Sequence, residues 1–373
     1  TPPVTTFAGG KLALALRDGS LTVSGSFSGL DSDINTDIAG GAHIHLGMAG
    51  RNGALLYPLA LTLGDDNRSA TLDPGTNTFA VSGDTLMALL GRALYVNVHT
   101  INHPGGAIRG QILPESNYFL QAYLSGSQQP NPVLSNADGA VIMEVLGDSL
   151  TVSGTFANLS SDLAINIAMG AHVHFAPVGS NGGLAYPLTP TPDGDAMNGR
   201  WRAADNRFSG NFTRRDSLRA RLGYINVHTA NNNGGEIRGQ LMHEARAYFY
   251  TPLSGSEQTP AVVSDGTGAA MMEYNGNAAI FVGSFRNLGS ALATEIRGGS
   301  HLHFALPGSS GPILTDLVVS QGEMDNAGFY RAMDNVFPVS QGWMDTVRQR
   351  MTYINIHSSA IRSGELRGQM LSL

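Results

Sequence analysis

The sequence predicts an all-β protein built from three tandem antiparallel domains, each a Greek-key β-sandwich or barrel. Three observations lead to this prediction: an internal repeat with a period of 129 residues, runs in which apolar and polar residues alternate, and 47 glycines among 373 residues. A period of this length is the size of an independent domain and exceeds that of a solenoid repeat.

Three short sequence blocks carry the repeat. They are Gly-Ala-His-Ile-His at 41–45, Tyr-Val-Asn-Val-His at 95–99 and Ala-Ile-Arg-Gly-Gln at 107–111, which recur with small changes at 170–174, 224–228 and 236–240 and again at 299–303, 353–357 and 365–369. Every block is displaced by the same 129 residues. We therefore divide the chain into units 1, 2 and 3, which span residues 1–116, 117–245 and 246–373.

Each unit is expected to consist of short strands separated by tight turns. Residues 21–27, their copy 150–156 and residues 95–99 alternate in the period-2 pattern of half-buried strands. Gly-Gly, Asn-Gly and Pro-Gly pairs between such runs are typical of turns. Short helices are expected at 84–90 and 344–350.

Units 2 and 3 open with a further strand-like segment, at 118–126 and 247–255. Its counterpart in unit 1 would fall before Thr1, because three full periods span 387 residues, 14 more than the chain has. Two explanations stay open: a trimmed or unresolved terminus, or a strand supplied by another molecule. In the second case the open sheet edge would lead to subunit association by strand addition, giving a homo-oligomer or filament.

Composition excludes several classes of function. The chain has no Cys, which removes disulfides, zinc–thiolate sites and cysteine nucleophiles. A net charge of −7 argues against nucleic acid as a partner. The sequence contains no apolar run long enough for a transmembrane segment.

The Arg-rich run at 214–221 is expected to be a solvated face or a contact specific to unit 2.

The histidines form the strongest chemical pattern. In a strand, residues i and i+2 point to the same side, so the two histidines of each His-x-His block share a face. If the strand of the second block is a neighbour, three imidazoles converge in each unit and predict a metal site for copper, with zinc as the second choice. The candidate ligands are His43, His45 and His99; His172, His174 and His228; and His301, His303 and His357. The alternative is that these are hydrogen-bonded or solvated strand histidines.

Charged residues of the third block are expected to support the histidines. Arg109 lies on one face of a third strand, as do Arg238 and Arg367 in their own units. Glu236 and Glu365 stand on the same face as the arginines of their units, so an Arg–carboxylate pair could orient the patch. His103 could add a ligand in unit 1 alone, although loop variation is the preferred explanation, and His243 is expected on the surface of a linker.

The three blocks, together with the segment 124–133, resemble the CHRD domain, the family named for chordin. The resemblance covers essentially the whole chain, three times over. It implies an extracellular or cell-surface β domain. The chain opens with Thr1-Pro2-Pro3 and not with Met, which could be a processed end, so we expect a secreted protein whose signal peptide is already removed. Low charge, abundant Gly, few Lys and the unpaired strand position favour a structural or assembly subunit, a surface coat or fibre, with no assigned catalytic residue.

The order of the histidines is also similar to the copper half of copper/zinc superoxide dismutases, which implies an immunoglobulin- or superoxide-dismutase-like fold. On that analogy His43, His45 and His99 would bind copper and Arg109 would guide a small anion. The sequence has no equivalent of the metal-bridging histidine, the zinc loop or the disulfide. A copper-binding redox protein therefore remains the alternative function, and an enzyme is less expected than a binding protein.

Overall fold

A computed structural model describes residues 4, 6–114, 116–209 and 214–373. All strand pairs within its sheets are antiparallel, which confirms the predicted all-β class. No helix in the described part of the chain is both long and apolar enough to cross a membrane.

Unit 1 contains two separate sheets and one helix. Its elements are β1 Gly9–Arg17, β2 Ser20–Ser28, β3 Ala42–Leu46, β4 Leu55–Pro58, β5 Thr62–Leu63, β6 Ala70–Leu72, β7 Thr78–Ala80, α1 Gly83–Leu90, β8 Leu94–Val98 and β9 Ile108–Gln111. The first sheet has the order β1-β2-β6-β5 with β7 also on β2, and the second has the order β4-β3-β8-β9. The hydroxyl of Ser82 caps α1 by accepting from the N–H of Thr85.

Unit 2 joins the same two sheets into one. Its elements are β10 Tyr118–Ser125, β11 Asp138–Leu146, β12 Ser149–Ala157, β13 Ala171–Phe175, β14 Leu184–Pro187, β15 Thr191–Asp193, β16 Asp195–Trp201, β17 Arg207–Ser209, α2 Arg215–Arg219, β18 Gly223–Val227, β19 Ile237–Gln240 and β20 Met242–His243, with 3₁₀ turns at Gly126–Gln128 and Ala168–Gly170. The leading strand β10 lies between β11 and β19, and the sheet therefore curls without interruption around one core.

Unit 3 repeats this arrangement. Its elements are β21 Ala247–Ser254, β22 Thr267–Tyr274, β23 Ala278–Arg286, β24 Ser300–Phe304, β25 Ile313–Asp316, β26 Gly328–Tyr330, β27 Val336–Pro338, α3 Gln341–Arg348, β28 Thr352–Ile356, β29 Leu366–Gln369 and β30 Leu371–Ser372, with 3₁₀ turns at Gly255–Glu257 and Arg297–Gly299. Its leading strand β21 again bridges the two halves of the sheet. The core of this unit also receives Phe7 of unit 1, whose ring centroid lies 4.8 Å from that of Tyr274.

One contact surface joins unit 1 to unit 2 and unit 2 to unit 3. The backbone carbonyl of Ala49 accepts a hydrogen bond from Thr155 at 2.7 Å, and 129 residues later the carbonyl of Val178 accepts one from Ser284 at 2.6 Å. Gly50 has no room for a Cβ, since that atom would lie 2.6 Å from Oγ1 of Thr155. The repeat in sequence is thus also a repeat in how neighbouring units pack.

Candidate metal centre

Each histidine cluster is built on two neighbouring strands. In unit 1, β3 pairs with β8 so that His43 lies opposite Asn97 and His45 opposite Tyr95, while His99 follows directly after β8. A glycine with positive φ, Gly41 at +89°, directly precedes the first of these strands, and a Cβ there would lie 2.4 Å from the side chain of Ile34. The two strands are therefore neighbours, as the convergence of the three imidazoles requires.

The three imidazoles of each unit converge. One ligand nitrogen from each histidine lies within 4.8 Å of the other two in all three groups. In unit 3, Nδ1 of His301 and Nε2 of His357 are 3.2 Å apart. Two ligand nitrogens that each lie about 2.0 Å from one tetrahedral ion would be about 3.3 Å apart. The observed distance of 3.2 Å therefore suits a shared metal ion.

Backbone carbonyls determine which nitrogen of each ring carries the proton. Because a carbonyl oxygen only accepts, Nε2 of His43 donates to Ile38, Nδ1 of His45 to Gly53 and Nδ1 of His99 to Pro104, at 2.7, 3.1 and 2.8 Å. Their other nitrogens are left with a lone pair each. Units 2 and 3 make the same contacts, from His172 to Ile167, His174 to Gly182, His228 to Asn233, His301 to Ile296, His303 to Gly311 and His357 to Arg362.

The lone-pair nitrogens are buried and mostly unpaired. Nδ1 of His43 and Nε2 of His45 have no hydrogen-bond partner among the described residues, and neither have the equivalent atoms of His172 and His174. In units 1 and 2 the lone-pair nitrogen of the third histidine, Nε2 of His99 or His228, contacts the side-chain amide nitrogen of an asparagine two residues earlier, 3.3 Å away in each case. A buried polar atom without a partner is costly, and a bound metal ion would satisfy all three nitrogens at once.

Burial favours the neutral form of six of these rings. Desolvation is the largest cause that lowers the pKa of six of them, and the charge of a neighbouring histidine of the same cluster lowers it further. These six are His45, His99, His174, His228, His303 and His357. A neutral imidazole is the form that binds a metal ion.

A tyrosine stacks against each cluster. The ring of His45 lies parallel to that of Tyr95, with centroids 5.0 Å apart, and the guanidinium carbon of Arg109 lies 3.3 Å from the Tyr95 centroid. The same order recurs as His174, Tyr224 and Arg238 and as His303, Tyr353 and Arg367. Sequence reasoning missed the tyrosine, although it stands four residues before the third histidine and so shares its strand face.

The glutamates have contacts other than the predicted Arg–carboxylate pair. The carboxylate of Glu236 is fully buried and accepts hydrogen bonds from Ser135, Ser160 and Thr229, while Arg238 lies on its tyrosine. In unit 3, Glu365 likewise accepts from Ser264 and from the backbone N–H of Gly289. These glutamates join loops of the domain and do not orient the arginines.

The arginines are not free to guide an anion. Nη2 of Arg109 donates to the carbonyl of Met48 at 3.1 Å, and Arg238 and Arg367 are 1% and 2% exposed. Burial lowers the pKa of Arg238 to about 10, which leaves it charged at neutral pH. Their contacts indicate a packing role beneath the tyrosines.

Two further histidines lie outside the clusters. Nε2 of His103 lies 2.9 Å from the carboxylate of Asp31, so this ring pairs with an acid and is not a fourth ligand. His243, expected on a linker surface, is half-buried and stacks on Tyr118 with ring centroids 5.7 Å apart.

The fold and the sites define a tandem all-β protein with one three-histidine cluster in each repeated domain. The family model of the CHRD domain matches the chain three times, over residues 1–112, 120–241 and 249–370, and the chain belongs to this family. A search of curated proteins finds no match.

Proposed function

We propose that the protein is a secreted structural or assembly subunit, of a surface coat or fibre, whose three units each hold one metal ion through three histidines. Copper is the first choice and zinc the second, because the ligands are imidazoles alone. One observation carries the metal site: in every unit, three carbonyl hydrogen bonds place three imidazole lone pairs within 4.8 Å of each other.

Burial supports a holding role for the metal rather than catalysis. His43, His172 and His301 are at most 2% exposed, and the ring of Tyr95 covers one side of His45. The arginine that could attract an anionic substrate is bound beneath that tyrosine. A metal ion in such a site would join two strands of each sheet and stabilise the folded domain.

The contacts between units support a structural role. Buried hydrogen bonds and ion pairs recur at both junctions, so the three domains pack as a regular series. In units 1 and 2 the segments around Ala49 and Val178 pack against the following unit. Their counterpart in unit 3, residues 306–309, is exposed. This exposed surface supports self-association, and the net charge of −7 supports partners other than nucleic acid.

The test is metal stoichiometry. The purified chain should bind close to one equivalent of Cu²⁺ per unit in equilibrium dialysis with elemental analysis. Replacing His43, His172 and His301 together by Ala should abolish this binding. His103→Ala is the matched control, since this imidazole pairs with Asp31. Unchanged stoichiometry in the triple variant would contradict the proposal.

Self-association needs its own measurement. Light scattering of the metal-loaded chain should show oligomers that grow with concentration. A monomer at every concentration, with full metal content, would remove the assembly role and leave the metal sites standing.

A further inference from the structure

The contacts of the buried glutamate differ between unit 2 and unit 3. In unit 2, Oε2 of Glu236 accepts hydrogen bonds from the hydroxyls of Ser160 and Thr229, each at 2.8 Å, and from the amide of Asn232 at 3.5 Å. The residues at the same three positions of unit 3 are Gly289, Ser358 and Ile361. The glutamate is thus kept as Glu365, while two of the three donor side chains are lost.

One oxygen of Glu365 is consequently left without a partner. Oε1 accepts from the hydroxyl of Ser264 and from the N–H of Gly289, the latter at 2.8 Å. Oε2 is buried and has no hydrogen-bond partner among the described residues, in a residue that is 0% exposed. A buried carboxylate oxygen without a donor is unfavourable, and a bound group that donates a hydrogen bond would stabilise it.

A pocket of about 490 Å³ lies against this carboxylate. Open space borders its oxygens at Gly289. A Cβ added there would lie 3.6 Å from Oε1 and 3.9 Å from Oε2, and outside its own neighbours in the chain it would meet no other atom within 4 Å. The apolar part of the lining includes Val263, which is fully exposed, and Ile361, which is partly buried. Sites for small molecules usually have volumes of about 300 to 1,000 Å³, so this pocket is large enough for an organic ligand.

The lining of the pocket favours a positively charged ligand. It contains two carboxylates, those of Asp265 and Glu365, and no Lys, Arg or His among the described residues. The amide nitrogen of Asn326 donates to the carbonyl of Leu288 at 3.1 Å, so its oxygen is the atom left to accept from a ligand. Carboxylate and amide oxygens suit a cation that donates hydrogen bonds. The apolar side chains add a surface on which a carbon chain can be buried, which a metal ion does not need.

We propose that this pocket of unit 3 binds a primary alkylammonium ion, whose NH₃⁺ group donates to Oε2 of Glu365 and whose carbon chain packs on Val263 and Ile361. The site is specific to unit 3. Unit 1 has Ala107 at the position of the glutamate, and unit 2 satisfies its glutamate with its own side chains. The histidine clusters take no part in this site, so it is independent of the proposed metal binding.

The probe is n-butylammonium chloride, titrated into the full chain while the methyl resonances of isoleucine and valine are followed by NMR. The resonances of Ile361 and Val263 should shift along a single saturable isotherm. Glu365→Gln removes the charge and keeps an acceptor for the donors on Oε1. It should lower the affinity roughly 10- to 100-fold, the range of a hydrogen bond to a charged group. Glu236→Gln is the matched control and should leave the affinity unchanged, because the carboxylate of unit 2 already has its donors.

A second variant fills the pocket without removing the glutamate. Gly289→Ser combined with Ile361→Asn restores the two donors found in unit 2, and the space at Gly289 admits the serine side chain. Oε2 would then be satisfied within the chain. We expect this variant to fold, to melt at the same temperature as the wild type or higher, and to lose n-butylammonium binding in calorimetry.

The proposal is overturned if the wild-type chain does not bind n-butylammonium, or if either variant of unit 3 binds it as well as the wild type does. Equal binding of n-butanol, which has the same carbon chain without the charge, would reduce the site to an apolar cleft and also overturn it. Displacement of the amine by Ca²⁺, with Ca²⁺ binding itself lost in Glu365→Gln, would assign the pocket to a metal ion instead.

Discussion

Arg221 of unit 2 and Glu273 of unit 3 form a bidentate ion pair across their junction, with the closest N–O distance at 2.8 Å. The pair repeats between units 1 and 2 as Arg92 and Glu144, also at 2.8 Å. Burial is the largest influence on Glu273 and raises its pKa, while the guanidinium of Arg221 opposes this effect. The arginine therefore favours the ionised form of a carboxylate whose burial favours protonation.

Removing the arginine should weaken the junction strongly. Arg221→Met leaves the carboxylate of Glu273, whose residue is 2% exposed, without its charge partner. Breaking a buried pair from one side costs about 3 to 5 kcal/mol. We expect the calorimetric transition of unit 3 to shift to lower temperature. Arg219→Met is the control, because its partner Asp216 is almost fully exposed and such pairs contribute about 0 to 1 kcal/mol. Equal shifts in both variants would contradict this account.

The phenol group of Tyr224 should tune the metal site of unit 2. Its oxygen accepts from the N–H of Gly182 at 3.0 Å, and the carbonyl of the same glycine accepts from His174. Tyr224→Phe keeps the stacked ring and loses the hydrogen bond that holds this loop. Loss of such a supporting contact lowers metal affinity by roughly 10- to 100-fold.

The measurement needs a chain with a single site, so His43→Ala and His301→Ala are introduced as background and Cu²⁺ affinity is determined by chelator competition. Tyr186→Phe serves as the control. Tyr186 pairs with Val173 and therefore lies on the face of the sheet away from the histidines. An unchanged affinity in Tyr224→Phe would show that stacking alone positions His174.

The histidine clusters were predictable because the rule that produces them is local. Side chains at i and i+2 of a strand share a face, and only the pairing of two strands had to be assumed. The helix α1 at Gly83–Leu90 agrees with the expected 84–90. The helix α3 begins at Gln341, three residues before the start at 344 that the sequence predicted. The hydroxyl of Ser340, which caps it, was an available signal.

The remaining contacts depend on residues far apart in the sequence. Glu236 binds Ser135 and Ser160, 101 and 76 residues away, so local spacing suggested Arg238 as its partner instead. The run 214–221 was expected to be a solvated face or a contact specific to unit 2. Arg221 turns inward to Glu273, 52 residues further on, and the same pair recurs in unit 1 as Arg92 and Glu144. A search for repeats identifies the domains, but the contacts between domains follow from how the units pack.

His243 should make the stability of the chain depend on pH. Its ring is half-buried against Tyr118, and burial, with the nearby charge of Arg221, lowers its pKa to about 4. The unfolded chain has a histidine pKa of about 6.5 and so binds this proton more readily than the folded chain does. The stabilising contribution is complete above about pH 6.5 and is lost as the pH falls towards 4.

Replacing this ring removes that contribution. We expect His243→Phe, which keeps the stacking on Tyr118, to lose less stability than the wild type when the pH falls from about 7 to about 5 in chemical denaturation. Comparing the two proteins cancels the contribution of every other titrating group that they share. His103→Phe is the control and removes an imidazole that lies beside Asp31. Parallel pH profiles for the wild type and His243→Phe would show that the ring titrates alike in the folded and unfolded chains.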